Sequence, residues 1–353
     1  MKFLLSLLFI YSIQIQAQIF RLNVDTTNIP PQLRPTFNQL IQDTENNINQ
    51  DIPANSPQRL MKGMADSSAM AGKGQSNDYI THFDAFVVGA GLGIGADLTE
   101  NKELDSDLSG AGVQAGALLG LNTAKFLPEK FLGLDTERLN LMMNFFTMDF
   151  DRKADDSTVG ANLLSMGAIL SYKMIEGKGN RLLGWDGVRI HTGYQYNSTK
   201  FNFTTKINEV LANEDIGGGS SVSGTITGSP QAEVDVATSS IPIELSTGFN
   251  FLYFISFYTG IGVDLNHGQA KGVGKLNGDT STLTCTGGVC GGVVNATVTP
   301  ESDINYTEKV QPTFTRGFVG FQFSVPYVRI FVHANHAFGT ELYSASTGLR
   351  LAF

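Results

Sequence analysis

Residues 343–353, Tyr-Ser-Ala-Ser-Thr-Gly-Leu-Arg-Leu-Ala-Phe, alternate between two kinds of side chain. Tyr343, Ala345, Thr347, Leu349, Leu351 and Phe353 share one parity; Ser344, Ser346, Gly348, Arg350 and Ala352 share the other. Side chains on a β-strand point to opposite faces with period two. One face of this strand suits hydrocarbon and the other a polar interior.

The same period runs back to about Ile80 and predicts nine further strands. Phe86, Val88, Ala90, Leu92, Ile94 and Ala96 oppose Val87 and Gly89, Gly91, Gly93 and Gly95. Ala111 to Leu121, Leu139 to Phe145, Leu164 to Lys173 and Val188 to Asn197 follow, the last alternating Val188, Ile190, Thr192, Tyr194 and Tyr196 with Arg189, His191, Gly193, Gln195 and Asn197. Ile241 to Ser246, Ile255 to Asp264, Val319 to Ser324 and Val328 to Asn335 complete the set with the terminal strand. About ten strands with one apolar face each predict an all-β, transmembrane, antiparallel up-and-down barrel; eight or twelve strands are the neighbouring counts. A secreted β-sandwich also has one apolar face per strand. The aromatics at the strand ends and the Gly-rich opposite face favour the barrel.

Composition narrows the classes. Charged residues make up 16% of the 353, with 39 Gly and 24 Phe. Mean hydropathy is nevertheless close to zero. Apolar residues therefore sit at alternate positions and are not gathered into helical spans. The formal charge of −9 becomes −10 once Lys2 is removed with a leader. An acidic chain without Lys/Arg clusters lacks the phosphate contacts of a nucleic-acid binder. Lys2, the apolar run Phe3 to Ile13 and Ala17 predict a signal peptide over residues 1–17, with Ile15 at the −3 position. The run is too short for a membrane-spanning helix, which takes roughly 20 residues.

The terminal strand resembles that of Gram-negative outer-membrane β-barrel proteins. There the pattern borne here by Gly348, Leu351 and Phe353 is the assembly signal. The resemblance implies an exported protein of the outer membrane whose partners are its lipid and the barrel assembly machinery. Met61 to Leu98, with Met-Lys-Gly-Met and Gly-Lys-Gly, is faintly similar to a spirochaete surface-adhesin family.

Residues 18–79 differ from the rest. Pro30, Pro31 and Pro35 lead into Leu33, Phe37, Leu40, Ile41 and Ile48 near one helical face, and a shorter helical pattern carries Leu60, Met61 and Met64 before the small residues Ser67 to Gly74. This apolar surface is too small for a separate domain. The expected organisation is a signal peptide at 1–17, a polar helical lead-in or plug at 18–79, and a barrel at 80–353. Val87-Val88-Gly89-Ala90-Gly91-Leu92-Gly93 fails as a dinucleotide loop, because Ile94 stands where G-x-G-x-x-G needs Gly. Alternate glycines instead clear one wall so that another backbone can approach, and the helical segment 31–70 is the candidate.

Strand parity places Lys173, Arg189, Glu244, Arg316, Arg329, His333 and Arg350 in the lumen. Arg316, Arg329 and Arg350 are expected to form one basic wall, with Glu244 and the acids Asp43, Glu45 and Asp51 as partners. An anion-favouring pore and an internal ion-pair network are the two consequences. The stretch His333-Ala334-Asn335-His336-Ala337 weakly resembles the active-site stretch of lipid A deacylases. The family's Ser nucleophile falls here on Asn335, so the correspondence breaks at the reacting residue. Ten-stranded outer-membrane proteases are similar in size, but no paired acids with an adjacent His stand at opposing strand tips. No enzyme activity, cofactor or metal site is expected. The acidic stretch Asp97, Glu100, Glu103, Asp105 and Asp107 lacks calcium-loop spacing.

Parity also assigns the connections near 98–109, 151–157, 207–231, 276–306 and 339–341 to the outer side. Cys285 and Cys290, separated by Thr-Gly-Gly-Val, are expected to close a small disulfide there. The connections at 123–137 and 176–186 are long for inner turns and leave room for a short helix or a further hairpin. The expected function is a surface interaction protein or adhesin that meets a host or environmental ligand at these outer loops. A channel for small, anionic solutes gated by the N-terminal segment is the alternative, and a lipid-modifying enzyme the third.

Overall fold

The computed structural model describes residues 21–25, a few positions between 31 and 42, residues 57–80, and residues 85–353 apart from short breaks, the longest at 100–108. The leader at 1–17, the helical face from Leu33 to Ile48, the acids Asp43, Glu45 and Asp51, the acidic stretch from Glu100 to Asp107, and Cys290 lie outside the described residues. The expected disulfide of Cys285 with Cys290 therefore does too.

Among the described residues ten strands follow one another around the fold: β1 (Phe86–Asp97), β2 (Gly110–Asn122), β3 (Leu139–Ala154), β4 (Ser157–Gly179), β5 (Leu183–Thr205), β6 (Ser220–Phe251), β7 (Ile255–Gly278), β8 (Thr313–Val325), β9 (Val328–Ala337) and β10 (Leu342–Ala352). Each pairs antiparallel with the next. β10 then pairs back onto β1, with Gly348 opposite Gly91 and Leu351 opposite Val88, and the ladder closes. At the seam the carbonyl of Phe353 accepts the N–H groups of Ala85 (3.0 Å) and Phe86 (3.3 Å), and the Phe353 N–H donates to Phe86 (2.9 Å). The two rings stack at 4.9 Å. Gly348 has a local reason: a Cβ there would meet the ring of inward-facing Phe331 at 2.6 Å.

Apolar side chains point outward in a continuous band. Ile241, Ile243, Leu245 and Phe249 on β6, Phe257, Ile261 and Leu265 on β7, and Val319, Ile330 and Leu349 beyond are all exposed. Leaving such a band in water costs about 25 cal/mol per Å² of apolar surface. A closed ladder with an apolar exterior is the form in which strands can lie in hydrocarbon, because every backbone polar group is paired internally.

The two rims differ. At the inner rim, where Phe86 and Phe353 meet, strands are joined by 180–182, 252–254 and 326–327. The long inner connections anticipated at 123–137 and 176–186 resolve in two ways. The first holds two short 3₁₀ turns, Thr123–Lys125 and Thr136–Arg138, around a small hairpin of Lys130–Phe131 and Leu134–Asp135. The second is the continuation of β4 and β5 themselves. At the outer rim the segments expected as loops are largely strand. β6 has 32 residues. At about 3.3 Å each that is ~105 Å, several times the roughly 25 Å of an apolar band. Ile207–Gly217 pairs along its outer part, Asp303–Lys309 along that of β7, and Ser281–Gly287 pairs with both β6 and Val294–Glu301. Thr, Val and Ile repeated through these segments favour extended backbone.

A helix, α1 (Pro57–Ala71), lies inside the barrel. Pro57 occupies the first helical position, where its missing N–H costs nothing. Ser67 to Ala71, anticipated as a small-residue stretch after the helix, is its last turn. Those small residues let the helix lie against the glycine wall. A Cβ on Gly93 would strike the carbonyl of Ala71, and one on Gly95 that of Ser67. Residues 72–80 continue through the lumen, buried throughout.

Gly95→Val therefore overpacks this contact, an effect of about 1–3 kcal/mol. The folded band on unboiled gels should be lost at lower temperature than in the parent. Ala96→Val, one residue on and facing lipid, should leave that temperature unchanged.

Candidate functional site

The lumen segment and the wall share one ion-pair network. Arg316 on β8 is fully buried; its Nε donates to Asp264 Oδ2 on β7 (2.7 Å), its Nη1 to Asn335 Oδ1 (2.5 Å), and its Nη2 to Glu244 on β6. Lys73 of the lumen segment pairs with Asp264 (3.2 Å) and donates to Ser240 Oγ (2.6 Å). Glu244 also accepts from Asn77 Nδ2 (2.9 Å) and Tyr79 Oη (2.8 Å). Two cations and two carboxylates thus balance with hydrogen bonds on every member, which is the condition for charges to sit out of water.

Nearer the inner rim, Asp78 faces Arg329 (3.2 Å) and Arg350 (3.9 Å). Arg350 donates to the carbonyls of Gln75 (3.1 Å) and Asn77 (2.5 Å), with its guanidinium 3.9 Å from the Phe331 ring centroid. Arg189 donates to the Ile80 carbonyl (3.2 Å) and to Asp186 (3.1 Å). Tyr79 clusters with Tyr258 (4.8 Å) and His333 (5.2 Å), whose own rings lie 5.6 Å apart, with Phe318 at 5.0 Å. Towards the outer rim Asp66 of α1 pairs with Lys62 (2.8 Å) and accepts the N–H of Gln311 (2.7 Å).

All seven lumen residues named from strand parity face inward, but not as one basic wall. Arg316 is held by Glu244 and Asp264, Arg329 and Arg350 by Asp78, and Lys173 stands apart with Glu176 (3.5 Å) and Asp186 (3.7 Å). Asp78 and Asp264 serve as partners in this role; the anticipated Asp43, Glu45 and Asp51 lie outside the described residues. The strand pattern already turned Asp264 inward. Lys73 within Gly72-Lys73-Gly74 was a usable signal, a lone charge in a run of small residues. His333 hydrogen-bonds Asn335 (3.1 Å) and is fully buried. Among the described residues no cluster of His, Cys, Asp and Glu is arranged to hold a metal ion.

A closed antiparallel barrel with an apolar exterior, a charged interior and both barrel ends at the rim of short turns defines an outer-membrane β-barrel protein. The family model described as Lsa36-like matches residues 14–353, and the chain belongs to that family, one of spirochaete surface proteins. No curated protein matches it. Solved structures similar to it include the CymD monoaromatic hydrocarbon channel (10% identity, TM-score 0.24, covering 83% of this chain and 98% of that one). CarO of Acinetobacter baumannii (10%, 0.24, 75% and 97%) and the toluene transporter TodX of Pseudomonas putida (8%, 0.24, 82% and 96%) are others. With TM-scores this low, the assignment stands on the strand pairing and the family match.

Removing Arg316 leaves Glu244 and Asp264 short of a cation in a buried site. Arg316→Met should destabilise the barrel by about 3–5 kcal/mol, measured by urea unfolding in lipid vesicles. Adding Glu244→Gln should restore part of the loss, because the two residues are directly coupled.

Proposed function

We propose that this protein is a surface interaction protein, an adhesin, which binds through its β-structured outer connections and uses the barrel as a sealed support. The observation that carries this is the filling of the lumen. From Met61 to Ile80 nearly every residue is buried, and Lys73, Gln75, Asn77, Asp78, Tyr79 and Ile80 are each bonded to the wall or packed against it. A solute would have to displace that whole set of contacts, which weighs against an open channel. The strands beyond the apolar band are the other elaborated region, and rigidly supported outer segments are where binding commonly resides. Membership of a family of surface proteins supports the same reading. His333 takes a structural part, stacked on Tyr79, and no catalytic role is assigned to it.

Bacteria displaying the protein should adhere to a cultured cell monolayer. Deletion of 276–306 should abolish adherence while the folded barrel is still seen on unboiled gels; undiminished adherence would remove the outer connections as the binding region. In planar bilayers the intact protein should conduct little, and deletion of 57–80 should raise conductance. Stable anion-selective current from the intact protein would make it a channel.

A further inference from the structure

The contacts of the N-terminal part follow a single direction along the barrel axis. Arg21–Asp25 pairs antiparallel with Val294–Glu301, from Arg21 opposite Glu301 to Asp25 opposite Thr297. That strand pairs with Ser281–Gly287, which pairs with Ser220–Ser223 at the start of β6. Ser223 lies 18 residues before Ile241, where the exposed apolar row of β6 begins. At about 3.3 Å per residue this is ~60 Å of strand, well beyond the membrane on the side of the long connections.

The helix comes next and enters by the same end. Gly63 packs on the backbone of Ser109 and Gly110, where β2 begins, and Asp66 holds the N–H of Gln311 in the outer connection between β7 and β8. Below it, Ala71 lies against Gly93, Lys73 reaches Ser240, and Gln75 donates to the Gly91 carbonyl (2.6 Å). Ile80 packs near Gly248, three residues from the inner end of β6. Ala85 then bonds to Phe353 at the inner rim, and β1 starts back outward.

We infer that the barrel is threaded once by its own chain from outside to inside. Arg21–Asp25 and the start of α1 stand on the cell-surface side, residues 57–80 cross the lumen, and β1 begins at the periplasmic rim. The N-terminal strand is thereby an edge strand of the outer sheet and part of what the cell displays. Assembly is constrained in order. The exported chain reaches the barrel from the periplasm, so the segment before α1 must pass outward before the lumen contacts of Lys73 to Ile80 fill the passage. This topology holds whether or not the outer sheet binds a ligand.

The test places an epitope tag between Asp25 and Thr26, and in a second variant between Leu132 and Gly133, in the inner-rim hairpin. Antibody binding is compared on intact and permeabilised bacteria, with folding checked by the unboiled-gel band. The first tag should be bound equally on both, and the second only after permeabilisation. Binding of the first tag only after permeabilisation overturns the threading, and binding of both on intact cells overturns the assignment of the two rims. Should tagged chains not fold, treatment of intact cells expressing the untagged protein with a glutamate-specific endoprotease gives the same decision. Cleavage after Glu45 with Glu129 and Glu137 uncut supports the topology, and the reverse pattern refutes it. Undiminished adherence on deleting 276–306 would leave these outcomes unmoved, so failure of the binding role and failure of the topology are distinguishable.

Discussion

The seam between β10 and β1 is the constraint on which the rest depends. In hydrocarbon an unpaired strand edge carries a row of backbone groups that no water can satisfy. Pairing from Leu342 opposite Asp97 to Ala352 opposite Val87 removes both edges. It also fixes which side chains face in, because a shift of one residue would turn Arg350 to lipid and Leu349 to the lumen. Phe353 ends this ladder with three backbone hydrogen bonds and a ring stacked on Phe86. The outward apolar band and the inward polar face both follow from that register.

Closure creates a second requirement. Arg316, Arg350, Glu244 and Asp264 are brought into a space with almost no exposure. Charges there need partners at close range, and the wall supplies only some of them. Lys73, Asn77, Asp78 and Tyr79 of the lumen segment supply the others. The glycines of β1 and β2 make the room for α1. Wall and thread are consequently one structural unit, in which the charged network fixes the position of the thread and the glycine faces fix its distance. The filled lumen makes the barrel a rigid base from which the extended outer strands rise.

Much of this was written along the chain in period two. Each expected strand has its counterpart among β1 to β10, and the expected faces hold from Val87 inward and Val88 outward to Leu349 outward and Arg350 inward. The glycine wall was legible as a place of close backbone approach. The outer segments were less so. Their strands stand beyond the apolar band, so lipid does not impose alternation, and their pairing partners are set by distant residues such as Ser220 and Gly287. The helix end was misjudged because Ser67 to Ala71 has no apolar stripe of its own, its helical form being supported by Gly93, Gly95 and Gly112 opposite.

The sequence by itself determined the strand faces, the direction in which the charged side chains of the strands point, and the terminal pattern that closes the barrel. These are local consequences of side-chain parity, readable from neighbours two residues apart. Only the tertiary structure decided which charge meets which. Asp78 lies 251 residues from Arg329 and Lys73 lies 191 from Asp264. Pairings at that separation are fixed by barrel closure and by the path of the thread, and neither is encoded in any short stretch of the chain.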